Sequence, residues 1–259
     1  MFIKSFTIIG AALVFAAVPA RAAVSAAEAA KLGTTLTPMG AEKAGNAAGT
    51  IPAWDGGLAK PLAGYVEGGH YPDPYAGDKP LFTIDSKNME QYKANLSPGQ
   101  MAMLQKYPDW KMVVYPTHRS AAFPQVHYDE TITNATRAKL AAGDNGVAGT
   151  KGGIPFPIPQ NGLEAIWNHL TRYRGDTYAT SWAQAPVTRE GAYTLVRFDY
   201  EYDFEYGNLS KPDSQRVDNK LFNFLQNVTG PARLAGNVLL VHEFADQVKQ
   251  PRQAWTYNP

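Results

Sequence analysis

The chain has 259 residues, 44 % of them hydrophobic and 18 % charged, with 24 basic against 23 acidic side chains and no cysteine. Its near-neutral balance gives no electrostatic drive toward nucleic acid or an anionic membrane surface. The lack of cysteine excludes a disulfide framework, a thiol nucleophile and a cysteine-linked lipid anchor.

Met1–Lys4 is a short basic start, Ser5–Pro19 is an apolar run, and Ala20-Arg21-Ala22 is an A-x-A site. This is the pattern of a secretory signal peptide. The run is shorter than the roughly 20 residues a membrane-spanning helix requires. Residues 1–22 are therefore expected to be removed after Ala22, leaving a soluble protein in the periplasm of a Gram-negative cell. Cleavage would take Lys4 and Arg21 with it, so that 22 basic side chains face 23 acidic ones. No later apolar run is long enough to form a transmembrane segment.

Ser25-Ala26-Ala27-Glu28 has capping-box spacing and predicts a short Ala-rich helix that stops at Gly33. Residues 34–80 then carry Gly and Pro at close intervals, as in Thr37-Pro38, Asp55-Gly56-Gly57 and Tyr71-Pro72-Asp73-Pro74. A loop of this length is either disordered or wraps a larger body. Trp54, Tyr65, Tyr71 and Tyr75 favour wrapping, because a solvated linker rarely carries aromatic side chains.

Helical signals return at Ser86–Leu96. Ser97-Pro98-Gly99-Gln100 combines a cap, a proline at the first helical position and a box-closing glutamine, starting a helix that runs to about Tyr107. The segment around His118 and His127 has no deciding pattern. Gly152–Pro159 alternates Pro with Phe and Ile, a stiff extended strip short of backbone donors. It covers the core, plugs a cavity mouth or docks a partner. Asn161-Gly162-Leu163-Glu164 caps a further helix, placing Leu163, Ile166, Trp167 and Leu170 on one stripe that is expected to pack on a sheet.

From Gly191 onward the chain reads as strands. In Val196–Tyr206 every even position is apolar or aromatic (Val196, Phe198, Tyr200, Tyr202, Phe204, Tyr206), and the odd ones are Arg197, Asp199, Glu201, Asp203 and Glu205. Such alternation predicts a long strand with one aromatic face and one solvated acidic face. Further strands are expected at Lys220–Thr229, with Phe222, Phe224 and Val228 on one side, at Arg233–Phe244, with Val238, Leu240, His242 and Phe244, and at Arg252–Tyr257. Short connections make them an antiparallel meander. Asn258-Pro259 opens a turn with nothing after it, and the chain is expected to be C-terminally truncated.

The expected fold class is α+β, with a large curved antiparallel sheet, covering helices and long Gly/Pro-rich loops. Residues 23–182 form a helical and Gly/Pro-rich part; residues 183–259 form the strand region. Together they are read as one incomplete domain.

No phosphate-binding glycine loop, G-x-S-x-G elbow or H-E-x-x-H motif occurs. His118 and His127 lack a spaced third ligand, so neither a metal nor a cofactor is expected. His169 and His242 read as packed histidines. Asp199, Glu201, Asp203 and Glu205 are more cheaply explained as a charged sheet face than as paired catalytic carboxylates.

The aromatic face needs a large apolar surface opposite it. Tightly covered by helices, it is core; curled into a half-barrel with loose cover, it is a pocket for an apolar ligand. Pattern alone leaves both open. Tyrosines suit such a pocket, because each presents an apolar ring with a polar tip.

Several stretches carry a family resemblance. They are Leu36–Asn46 with Gly49–Trp54, Asp78–Phe82, Tyr115-Pro116-Thr117-His118-Arg119, Gly152–Pro159 running into Asn161–His169, and Pro231–Gly236 through Pro251–Trp255. Together they resemble the domain of unknown function 1329 family of Gram-negative envelope proteins. That resemblance implies a fold like the outer-membrane lipoprotein-sorting proteins LolA and LolB, a half-open β-barrel with helices in its concave face. It also implies a lipid or hydrophobic-ligand carrier, with a resistance-nodulation-division type transporter as a partner.

The expected function is thus non-enzymatic: a periplasmic carrier or binding protein for a hydrophobic ligand. Its candidate groove is Val196, Phe198, Tyr200, Tyr202, Phe204, Tyr206, Phe222, Phe224, Val238 and Leu240. The alternatives are an adaptor that docks an envelope transporter or outer-membrane partner, and an envelope hydrolase using His118 near Asp129 and Glu130.

Overall fold

Residues 24–259 are described by a computed structural model; the expected signal peptide and its cleavage site lie outside them. Three helices start where their caps predict. In α1 (Ala26–Ala29) the Ser25 hydroxyl accepts from the Glu28 amide while Glu28 accepts from the Ser25 amide, both at 3.2 Å. In α2 (Pro98–Lys106) Ser97 and Gln100 make the same reciprocal box. Asn161 Oδ1 accepts from the Glu164 amide at 3.0 Å to open α4 (Gly162–Thr171).

The longest helix among the described residues, α3 (Gln125–Arg137), fills the segment the sequence left undecided. Its buried side is His127, Tyr128, Thr131, Asn134 and Ala135. The spacing is helical, but the residues are mostly polar, so no apolar stripe announces it. Ahead of it, β1 (Phe82–Ile84) pairs antiparallel with β2 (Met112–Val114) around a small core of Ile84, Met89 and Leu104. The expected helix after Ser86 is a 3-10 helix, Met89–Asn95. A short hairpin, β3 (Lys139–Leu140) with β4 (Val147–Ala148), follows α3.

The fold class is α+β. Its main sheet is a five-stranded antiparallel meander in sequence order: β5 (Thr177–Gln184), β6 (Val196–Asp203), β7 (Lys220–Gly230), β8 (Val238–Phe244) and β9 (Gln253–Tyr257). It is an open sheet with β5 and β9 at its edges, and its first strand begins at Thr177, ahead of the boundary read from the sequence at residue 182. The expected eleven-residue strand ends at Asp203. Phe204 and Tyr206 continue past it into a buried turn, and Glu205, expected on the solvated face, is only 8 % exposed.

Residues paired across antiparallel strands point to the same side of the pleat. One line across the sheet runs Tyr178, Tyr202, Phe224, Val241, Ala254; the adjacent line runs Ala179, Glu201, Leu225, Leu240, Trp255. Val238 and Leu240 therefore lie on the face away from the aromatic rings, which corrects their expected place in the groove. The face a strand residue takes is fixed by its register with its neighbour, and that register pairs odd positions of β8 with even ones of β7. Leu239, Val241 and Glu243 take the aromatic side instead.

The main core joins Phe204, Tyr206 and Leu221 to Trp167, Phe156, Val147 and Ala245, with Tyr202 at its edge toward the sheet. The Gly152–Pro159 strip belongs to this core: Pro155, Phe156 and Pro157 are buried. Its prolines donate nothing, and several of its other backbone groups are met by buried or half-buried side chains. Asn134 Nδ2 donates to the Gly152 and Ile154 carbonyls at 2.7 and 3.1 Å, and the Ile154 amide donates to Thr131 Oγ1 at 2.9 Å. Asn168 both accepts from the Phe156 amide and donates to its carbonyl. This satisfies groups that would otherwise cost several kcal/mol in all, at about 1–3 kcal/mol each.

The helix stripe behaves differently from expectation. Trp167 is 3 % exposed, whereas Leu163, Ile166 and Leu170 are 45, 49 and 40 % exposed. Only the Trp167 side of α4 packs inward. The other side leaves an apolar ridge at the surface.

Candidate functional site

Eight of the ten expected groove residues share one region, and they divide into two zones. The inner zone is core: Tyr202, Phe204 and Tyr206 are 3, 1 and 5 % exposed. Tyr206 is anchored by polar contacts as well. Its hydroxyl accepts from Thr150 at 2.7 Å and reaches the Gly152 and Gly153 carbonyls at 3.3 and 3.1 Å. Burial pushes the Tyr206 and Tyr202 phenols above their usual range.

The outer zone is a paved sheet surface. Tyr200 stacks against Phe224 at 5.3 Å, Phe222 lies 5.1 Å from Tyr202, and Val196 sits half-buried at the far end of β6. Two aromatic residues of β5 complete the paving and were not anticipated. Tyr178 stacks on Tyr202 at 5.1 Å, and Trp182 stacks on Phe198 at 4.8 Å. Their alternation through Tyr178, Thr180 and Trp182 was a readable strand signal. Trp182 is 45 % exposed while its partner Phe198 is 7 % exposed, so the rings reach the surface along the β5 edge.

Polar tips cluster where the two zones meet. The Arg174 guanidinium lies 5.4 Å from the Tyr202 ring centroid and donates to its hydroxyl at 3.3 Å. Burial, followed by the neighbouring Tyr178 phenol, pushes the Tyr200 phenol up to about 12. At neutral pH the Tyr200 and Tyr202 phenols are uncharged hydrogen-bonding groups at the edge of an apolar surface.

A family model described as a protein of unknown function (DUF1329) matches residues 83–259. The chain belongs to that family. It is also 53 % identical over 248 residues to the uncharacterized protein PA3922 of Pseudomonas aeruginosa, a match covering 95 % of this chain and 54 % of that protein. The chain thus spans about half the length of this curated relative. No solved structure matches.

In this family member, the stretches that carried the resemblance build the frame around the sheet. The Arg119 guanidinium donates to the carbonyls of Glu42, Lys43 and Pro52 at 2.7, 3.2 and 3.4 Å. Trp54 donates to the Ala121 carbonyl at 3.0 Å and meets Tyr128 edge-on. The long N-terminal loop therefore wraps, as its aromatics predicted, although Tyr65 and Tyr71 stack on each other at the surface instead. At Gly40 the wrap comes so close to the proline strip that a Cβ would lie 1.7 Å from the Pro157 carbonyl oxygen.

His118 takes a different partner from the one expected. Its Nε2 lies 2.6 Å from Asp78, and Tyr75 stacks on its ring at 3.7 Å. Asp129 instead accepts from Gln125, and Glu130 pairs with Arg137. The His118 pair borders cavities of about 360 and 330 Å³ beside the wrapping loop. A charged cleft of about 410 Å³ lies under the buried turn after β6, lined by Tyr206, Glu205 and Lys220 among others. Glu205 pairs with Lys211 there at 2.7 Å. No other expected groove residue lines any of these three cavities.

His242 packs as its parity suggested. His169, also expected to pack, is exposed with Arg172 against its ring, and His127 is buried although no sequence pattern announced it. His127 is 2 % exposed and lies 3.9 Å from the Tyr173 ring, and burial lowers its pKa. His242 meets Trp255 edge-on at 5.1 Å on the opposite sheet face. No group of three or more His, Asp or Glu among the described residues is arranged to hold a metal ion.

Proposed function

We propose that the protein is a non-enzymatic binding protein and carrier for a hydrophobic ligand, working in the Gram-negative periplasm after export by its N-terminal segment. The ligand lies along the outer zone of the aromatic face, over Tyr178, Trp182, Tyr200 and Phe224, beside the buried Phe198. The observation that carries this reading is the exposed end of the stacked row. A purely structural face would bury its tryptophan, yet Trp182 remains 45 % exposed beside a buried Phe198. Covering that end removes apolar surface from water at roughly 25 cal/mol per Å². A LolA/LolB-like arrangement, in which the sheet curls as a half-open barrel around the ligand, is the architecture this function calls for. No helix among the described residues is long and apolar enough to cross a membrane.

Titration with a fluorescent fatty-acid probe tests the proposal. Saturable binding that is displaced by unlabelled acyl chains is the expected result. A protein that leaves the probe's emission unchanged at micromolar concentrations is not a carrier of this kind.

A second reading is supported by the ridge of Leu163, Ile166 and Leu170 on α4. As an adaptor, the protein would lay this ridge against an envelope partner such as a resistance-nodulation-division type transporter. Crosslinking in cells from position 166 separates the two readings: a single protein adduct without bound lipid favours the adaptor.

A further inference from the structure

The outer aromatic zone has one end that is chemically unlike the rest. Arg174 follows α4 and reaches over Tyr202, donating to its hydroxyl. Among the described residues Arg174 forms no ion pair, whereas Arg137 and Arg252 each hold a carboxylate. A guanidinium has five donors in a planar fork suited to a carboxylate or phosphate, and a single 3.3 Å bond to a phenol leaves most of them free. Beside it stand the phenols of Tyr178 and Tyr200, whose mutual contact keeps both tips on the same edge.

From this polar corner the rings run in one direction. Tyr202 to Phe198 along β6, and Tyr178 to Trp182 along β5, are parallel tracks of about 13 Å each at the rise of a strand. One end of the track is cationic and rich in donors, and the other is an exposed tryptophan. A ligand complementary to both ends has one anionic head and one extended apolar tail.

We infer that the site takes a single-chain anionic amphiphile of the fatty-acid class, its head held by Arg174 with the tyrosine hydroxyls and its tail laid toward Trp182. The inference rests on the carrier reading and narrows it to a ligand class. Neutral amphiphiles of equal length bind the same track but forgo the guanidinium. Cationic ones meet repulsion at the corner.

The test compares dodecanoic acid, dodecanol and dodecylamine by competition against one fluorescent probe, using the full chain at pH 8. The acid is expected to bind about tenfold more tightly than the alcohol, with the amine weakest. Arg174→Gln is expected to erase the preference for the acid, and Arg174→Lys to keep part of it, since the charge remains while the fork is lost. Equal affinities for the three in the wild-type protein would overturn the head-group assignment and leave hydrophobic binding intact. A preference for the acid that survives Arg174→Gln would overturn it as well. Failure of all three to compete would instead remove the carrier reading beneath it.

Discussion

Trp182 on β5 stacks on Phe198 of β6 with ring centroids 4.8 Å apart and planes 24° from parallel, the tryptophan exposed and the phenylalanine buried. This pair marks the boundary between what the sheet uses for its own core and what it offers outward. Trp182→Ala is therefore expected to weaken binding of an acyl probe about tenfold, or roughly 1.4 kcal/mol, through lost apolar contact. Trp255→Ala, on the opposite face and 49 % exposed, serves as the control and is expected to leave probe affinity unchanged. Fluorescence titration of both variants reads the difference.

Phe204 is 1 % exposed at the centre of the main core. Truncation to alanine should cost about 3–5 kcal/mol, the range for a large aromatic removed from a packed interior. Urea denaturation checks this. A loss below about 1 kcal/mol would mean that the inner zone is loosely packed and that the ligand site extends into it.

Asn134 is fully buried and holds the Gly152 and Ile154 carbonyls of the proline strip. Asn134→Ala would leave the Ile154 carbonyl without a partner, at about 1–3 kcal/mol, and the Gly152 carbonyl with only the Tyr206 hydroxyl at 3.3 Å. The expected result is a large drop in urea midpoint together with faster amide exchange at Ile154 and Phe156. Unchanged exchange there would show that the strip holds its place without the asparagine.

His127 lies beneath Tyr173 with its pKa lowered, chiefly by burial and further by Arg216, against an opposing pull from Asp176. In the unfolded chain its pKa returns to about 6.5. The folded state therefore favours the neutral ring. Its contribution to stability is complete above about pH 6.5 and is lost as the pH falls toward the lowered folded value. Urea midpoints at pH 7.5 and 5.5 should fall more for the wild-type protein than for His127→Gln. An equal fall would assign the acid sensitivity to the carboxylates alone.

The parts legible in the sequence were those with local chemical causes. Ser25, Ser97 and Asn161 announced their helices because a cap is a contact within four residues. The alternation in Val196–Asp203 announced its strand and its aromatic side. What escaped depended on distant partners. Helix α3 hides because its buried stripe contains Thr131 and Asn134, polar residues that make sense only beside the proline strip they support, and His127, which packs on Tyr173. Val238 and Leu240 went to the wrong face because strand parity transfers across a sheet only through register, and the bulge between Lys220 and Phe222 is invisible in composition. The exposed side of α4 was misjudged for a related reason. An apolar stripe predicts that something covers it, and Leu163, Ile166 and Leu170 have no such cover among the described residues.

Where an acyl chain touches the protein is the most direct test of the whole account. A photoactivatable fatty acid, irradiated with the protein and mapped by peptide mass spectrometry, is expected to label residues 178–182 and 198–200, with labelling lost on competition by unlabelled fatty acid. Labels confined to the α4 ridge, to the Trp255 face or to the cavities beside His118 would contradict it.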